Sequence, residues 1–302
     1  MSGIQIFYTD HFELPLPQGH RFPMRKYAML RARVEADDLC AGEALRVPRA
    51  AGDDQILRAH DTSYLKRVAS GTLTPSEIRR IGFPWSPQMV ERSRRSSGAT
   101  LEACRAALQH GLAVSLAGGT HHAFRDHGAG YCVFNDVAIA ALAMQAEGRV
   151  SRVLVVDCDV HQGDGTAAIF ADDPSVYTFS IHGERNFPFR KTESDLDIAL
   201  PDLTGDDVYL TSLHDGLGRA LSASQPGLVI YLAGADPYED DRLGRLSMSK
   251  DGLARRDRLL FSTCADLGVP VATVMAGGYA RVIEDTVDIH FNTVRTAAAF
   301  SR

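Results

Sequence analysis

Six short apolar runs, rich in β-branched residues and each ending in a polar cluster, constrain this chain more than any other feature. They are Ile4–Tyr8, Ala113–Leu116, Val153–Val156, Val176–Ile181, Leu228–Leu232 and Val271–Met275. Near-continuous hydrophobicity is the pattern of a strand buried on both faces, which belongs to a parallel sheet covered by helices. Helical stretches fall between the runs. Ser86-Pro87 reads as an N-cap and first-turn proline, opening a helix towards His110-Gly111. Asn135 or Asp136 opens a second, whose stretch Val137–Met144 is apolar all round and so reads as buried. Three more run from about Asp206 to Ala223, after Ser249, and over about Val282 to Phe300. In the helix after Ser249, Leu253, Leu259, Leu260 and Leu267 point to the core and Arg255, Arg256 and Arg258 mostly to solvent. Residues 9–85 are less regular and are expected to wrap one end of the sheet. No Pro/Gly/Ser-rich linker, low-complexity tract or repeat divides the chain, so one α/β domain over residues 1–302 is the economical reading.

Bulk composition narrows the function classes. With 45% apolar and 23% charged residues the chain can bury a sizeable core, and a net charge of −6 argues against a general nucleic-acid binder. An acidic field mildly favours cationic substrates. Cys40, Cys104, Cys132, Cys158 and Cys264 form no CxxC pair, so neither a zinc ribbon nor a disulfide framework is indicated. The N-terminus lacks a basic region followed by a long apolar stretch, and no run reaches the ~18 apolar residues of a membrane span. The expectation is a soluble, cytoplasmic protein that binds no membrane.

In open α/β sheets the site lies beyond the carboxyl ends of the strands, and each chemically suggestive cluster here follows an apolar run. The densest is Asp157-Cys158-Asp159-Val160-His161-Gln162-Gly163-Asp164-Gly165. Alternation at a strand end aims Asp157, Asp159 and His161 to one side, where a cation would compensate the carboxylates. Asp236, at an equivalent strand end in Gly234-Ala235-Asp236-Pro237, is the natural third ligand, leaving positions open for water and substrate. Read alone, each of these is more often an acidic loop or a turn aspartate; together their weight changes. His121 and His122 follow Gly118-Gly119-Thr120 and suit either metal ligands or a general base with a neighbour, with Asp157 and Asp164 left to orient them. Tyr279, after Ala276-Gly277-Gly278, could donate to a developing oxyanion or merely anchor the next helix. Gly163-Asp164-Gly165-Thr166-Ala167-Ala168 formally matches a dinucleotide fingerprint, but it does not follow its strand directly and no acidic ribose partner stands at the usual distance.

Taken together these blocks resemble the histone deacetylase family, which includes acetoin-utilisation proteins and acetylpolyamine amidohydrolases. The likeness is carried by His20-Arg21, His60-Asp61-Thr62-Ser63-Tyr64-Leu65, Gly118–Ala123, Gly130–Asp136, Asp157–Gly165, Phe179–His182, Gly234–Pro237 and Gly277–Tyr279, in order over roughly residues 20–280. It implies a three-layer α/β/α arginase/deacetylase fold with a central, mainly parallel sheet of about eight strands. It implies Asp159, His161 and Asp236 as ligands of one divalent metal, Zn2+ first and Fe2+ as the alternative. His122 would be the general base and then acid, backed by Asp164; His121, oriented by Asp157, would be its electrostatic partner; Tyr279 would be the oxyanion donor. Gly130 would accept the substrate N–H through its carbonyl, with Tyr131 and Phe189 as walls of an acyl-lysine tunnel. A structural K+ would use Asp157, Ser180 and the backbone of Asp159, His161 and Ile181. The implied reaction is hydrolysis of an acyl-amide on an acylated lysine or an acylated small amine such as an acetylpolyamine.

The stretches around His20–Tyr27 and Asp236–Leu246 look more like the class IV and bacterial branch, and Ala276 stands where the family usually has a glycine. A dimanganese ureohydrolase needs an aspartate where Gly234 stands, and its metal motif runs in a different order. A non-catalytic acyl-amine sensor predicts loss of His122, Tyr279 or a ligand, and none is lost. Glu239-Asp240-Asp241 could steer an amine substrate, with Arg242 and Arg245 partly cancelling it.

Overall fold

The computed structural model describes residues 4–12, 14–37 and 44–301; residues 1–3 and Cys40 lie outside the described residues. In chain order the strands are β1 (Gln5–Phe7), β2 (Leu45–Arg46), β3 (Leu112–Ser115), β4 (Val153–Asp157), β5 (Val176–Gly183), β6 (Leu196–Leu200), β7 (Leu228–Leu232) and β8 (Val271–Val274). They form one sheet in the order β2-β1-β3-β8-β7-β4-β5-β6, and every neighbouring pair is parallel. The helices are α1 (Lys26–Glu35), α2 (Asp53–Ile56), α3 (Thr62–Ser70), α4 (Pro75–Ile81), α5 (Pro87–His110), α6 (Asp136–Ala146), α7 (Asp164–Phe170), α8 (Asp206–Ser224), α9 (Lys250–Asp266) and α10 (Ile283–Phe300).

Helices cover both faces, as continuous apolar strands require. Val153, Val155 and Ile230 pack into one core with Ala99 and Leu101 of α5 and Val137 and Ile139 of α6. The alternate residues Leu154, Val156 and Tyr231 pack into a second with Leu213 of α8, Leu260 of α9 and Val294 of α10. Ser86 caps its helix as the sequence predicts, Asn135 rather than Asp136 caps the next, and Ser249 caps α9: they accept hydrogen bonds from the backbone N–H of Met89, Ala138 and Gly252.

Residues 9–85 hold the edge strand β2 at one end of the sheet and helices α1–α4, and they pack on both faces: Leu30 and Val34 of α1 join one core, Tyr64 and Val68 of α3 the other. Two readings are corrected. Leu267, at the end of α9, is 60% exposed and does not point to the core. Arg256 does not face solvent but is fully buried, for the reason given below. Cys104, Cys132, Cys158 and Cys264 are buried free thiols. No helix among the described residues is long and apolar enough to cross a membrane.

Candidate metal centre and catalytic cleft

The register brings four strand ends level, with Asp157 opposite Leu232, and Val274 opposite both Leu232 and Ser115. The loops leaving β3, β4, β7 and β8 therefore meet in one cleft. Asp159 and His161 arrive from β4 and Asp236 from β7, and ligand-capable atoms of the three lie within 4.8 Å of one another. His161 Nδ1 is 2.9 Å from Asp159 Oδ1 and 3.3 Å from Asp236 Oδ2. The backbone packs against these carboxylates without a gap. Gly277 N–H donates to Asp159 Oδ2 at 2.8 Å, and a Cβ on Gly277 would sit 1.9 Å from Asp236 Oδ2. Val160 N–H holds the other oxygen of Asp236 at 2.9 Å.

The cluster is built for a positive charge. Asp236 Oδ2 is buried without a hydrogen bond. Burial, with Asp159 beside it, pushes the Asp236 carboxyl up to about 7. Burial works against a charged His161, but Asp159 and Asp236 outweigh it and push the imidazole up to about 10. Two carboxylates and one imidazole with open positions suit Zn2+ or Fe2+, so the residues present fit a single divalent ion.

Beside the cluster, two histidines are each fixed by a carboxylate. His121 Nδ1 lies 2.6 Å from Asp157 Oδ2, and His122 Nδ1 lies 2.6 Å from Asp164 Oδ1. A carboxylate can only accept, so each Nδ1 carries the proton, which leaves Nε2 of His122 for the cleft. The two rings are 4.1 Å apart, and the His122 ring is 6.0 Å from that of His161. Their electrostatics diverge. Burial opposes charge on His121, yet Asp157 and Asp159 prevail and raise it to about 9. Burial and the neighbouring His121 lower His122 to about 4, so near neutral pH it is a free base. One imidazole is held charged and the other neutral, a division suited to acid–base work.

The walls follow from β8 and from the loop before α6. Tyr279 N–H donates to Asp241 Oδ2 at 2.6 Å, and burial, with Asp159 and Asp236 nearby, drives its phenol well above the usual range. It is a proton donor at any working pH. Tyr131 adopts a left-handed φ of +66°, held by hydrogen bonds from Tyr131 N–H to Ile81 O and from Gly130 N–H to Arg80 O. Such backbone costs roughly 1–2 kcal/mol and here turns the ring towards Tyr279, 6.2 Å away. Gly130 presses on His122 so closely that a Cβ would lie 2.6 Å from its ring. Together these residues line a cavity of about 680 Å³, whose wall also includes Asp159, His161, Ser96 and the buried Arg92.

Residues 20–294 match the histone deacetylase domain. The chain belongs to this family. It is 46% identical to an uncharacterised protein of a Picosynechococcus strain, over 95% of this chain and 96% of that one. It is 28% identical to histone deacetylase 2 of Arabidopsis thaliana, over 95% and 79% of the two chains. With the acetoin utilization protein of Bacillus subtilis the identity is 30%, over 80% and 66%. A histone deacetylase homologue from Aquifex aeolicus superposes with a TM-score of 0.85 at 21% identity, covering 98% of this chain and 84% of that one. The all-parallel eight-stranded sheet is therefore the deacetylase fold, and hydrolytic deacetylation is the chemistry of the family.

Within this deacetylase frame the site residues read from sequence fall into place unevenly. Asp159, His161, Asp236, His121, His122, Asp157, Asp164, Gly130, Tyr131 and Tyr279 converge on one cleft. Asp157 and Ser180 stand side by side across β4 and β5, with Ile181 next along and His182 Nδ1 2.9 Å from Ser180 Oγ. Phe189 does not reach the histidines: it is 89% exposed at the mouth, and Phe187 takes the inner place, 4.9 Å from the His122 ring. The sequence reading also missed Arg256. Its guanidinium donates to Gly234 O at 2.5 Å and to the Asp257 carboxylate at 2.9 Å, and reaches Cys158 O at 3.5 Å. Gly234 precedes Asp236 by two residues and Cys158 precedes Asp159 by one, so this side chain ties together the loops that carry Asp236 and Asp159. Asp241 is likewise structural, accepting from the N–H groups of Leu243, Gly244 and Tyr279.

Proposed function

We propose that this chain is a single-metal deacylase that hydrolyses an acyl-amide on an acylated lysine or another acylated amine, releasing a carboxylate and a free amine. The observation that carries this reading is the placement of a carboxylate-backed, neutral His122 beside the Asp159–His161–Asp236 cluster. Asp159, His161 and Asp236 would hold the ion, Zn2+ first and Fe2+ second. When bound, a divalent ion polarises a carbonyl and makes water a stronger acid. His122 Nε2 takes the proton of the attacking water, Asp164 steadies the imidazolium that forms, and the same nitrogen then delivers the proton to the leaving amine. Tyr279 donates its phenol hydrogen to the oxyanion of the tetrahedral species. His121, held charged by Asp157, keeps His122 from protonating early. The Gly130 carbonyl would accept the substrate N–H, and Tyr131 and Phe187 would flank the acyl-amine stem, with Phe189 at the mouth of the same cavity. Asp157, Ser180 and the backbone of Asp159, His161 and Ile181 would hold a structural K+.

The test is acetate release from an acetyl-lysine peptide by wild type and His122→Ala at matched metal content. Turnover is expected to fall by at least about 10²-fold in the variant, the usual loss for a removed general base. Equal turnover would remove His122 from the mechanism.

A further inference from the structure

The mouth of the cavity is basic although the chain as a whole carries a net charge of −6. Arg79 and Arg80 end α4 on one side, Arg185 follows β5, and Arg242 and Arg245 sit on the loop after β7. All five are exposed. Among the described residues, Asp159 is the only Asp or Glu that lines the cavity, and it belongs to the metal cluster. Asp202 offsets part of the charge, 2.6 Å from Arg245 and 3.9 Å from Arg185. Arg79 and Arg80 form no ion pair among the described residues.

The acidic run that could have steered an amine stands outside the cavity. Asp241 is buried and caps three backbone N–H groups, Asp240 pairs with Arg281 at 3.0 Å, Glu239 is exposed, and none of the three lines the cavity. A polyamine or a lysine-rich tail would meet arginines from α4 and from the loops after β5 and β7, with the nearby Asp202 already paired to Arg245. Guanidinium forks at an exposed rim match carboxylates, and their field acts over a Debye length of about 8 Å at physiological salt. Resting on the deacylase reading above, we infer that the substrate carries carboxylates close to its acylated nitrogen. The source is an acyl-lysine in an acidic peptide segment or a small acylated amine with a carboxylate of its own.

Five probes test this at low and high salt: acetyl-lysine peptides of one length flanked by glutamates, serines or lysines, together with acetylputrescine and 4-acetamidobutanoate. The glutamate peptide is expected to show a KM about tenfold below that of the lysine peptide, a gap that closes in high salt. The double variant Arg79→Gln/Arg185→Gln is expected to raise KM for the glutamate peptide about tenfold while kcat on the serine peptide stays unchanged. Preference for 4-acetamidobutanoate over every peptide supports the same chemistry and assigns the small-molecule source. Equal KM values across the peptides, or preference for the lysine peptide or acetylputrescine, overturns the inference while turnover of the serine peptide leaves the deacylase reading standing. No turnover of any probe removes both.

Discussion

Replacing Arg256 by Met should damage this protein twice, once in stability and once at the metal centre, and the two losses can be separated. Arg256 and Asp257 are both fully buried, and among the described residues Arg256 is the only cation paired with the Asp257 carboxylate. Asp257 keeps hydrogen bonds from Tyr231 Oη and Thr293 Oγ1, both 2.5 Å, but without Arg256 it becomes an uncompensated buried charge. Breaking a buried pair by removing one partner costs about 3–5 kcal/mol. At about 2.1 cal/mol/K per residue, unfolding 302 residues carries an entropy near 0.63 kcal/mol/K, so Tm should fall by about 5–8 °C. The double variant Arg256→Met/Asp257→Leu removes both charges and should recover most of that stability, because apolar replacement of a buried pair is often neutral. It should not recover metal affinity, since the tie between Gly234 O and the Asp159 loop is still missing. A loss of about 10–100-fold in metal affinity is the scale expected for a support of this kind. Urea titrations read the first effect, and competition with a chromogenic chelator reads the second. A single variant less than about 1 kcal/mol weaker than wild type would refute the burial argument. A double variant with wild-type metal affinity would refute the positioning argument.

Tyr279→Phe should retain fold and metal while kcat falls by about 10²–10³-fold, the loss seen when one oxyanion donor is removed, and steady-state kinetics on an acetyl-lysine peptide would show it. His60 gives a pH signature of the fold. It accepts a hydrogen bond from Asn135 N–H at 2.8 Å, and burial lowers it to about 4 against about 6.5 when unfolded. The unfolded chain therefore binds the extra proton first, so this contribution is complete above about pH 6.5 and is lost as pH falls towards 4, by roughly 3 kcal/mol. Denaturation midpoints from pH 4 to 7 should show a shallower slope in His60→Gln than in wild type, and equal slopes would contradict the assignment.

Much of the architecture was legible because the central strands are buried on both faces and so announce themselves by composition. The two strands the sequence concealed are edges. β2 has only two residues, and β6 alternates buried Leu196 and Leu200 with exposed Asp197 and Ala199, a pattern too short and polar to separate from loop. α1 was hidden by Lys26, Arg31 and Arg33, which leave little apolar periodicity. The Asp159–His161–Asp236 cluster was legible because each residue stands just past a strand end, where period-two alternation aims Asp159 and His161 to one side. Phe187 was not, because the loop after His182 has no period to count along. Arg256 could have been found: Leu253 and Leu260 stand three before and four after it, so the core-facing stripe of α9 passes through it. The charges at Arg255 and Arg258 masked that spacing.

In the proposed mechanism one divalent ion, held by Asp159, His161 and Asp236, serves His122 and Tyr279. Its most direct test is to strip the protein with a chelator and titrate Zn2+ or Fe2+ back while following acetate release. Activity should vanish on stripping, return in proportion to added metal and saturate at about one equivalent, with Asp236→Asn failing to recover. Saturation at two equivalents, or hydrolysis that persists in the stripped protein, would contradict the account.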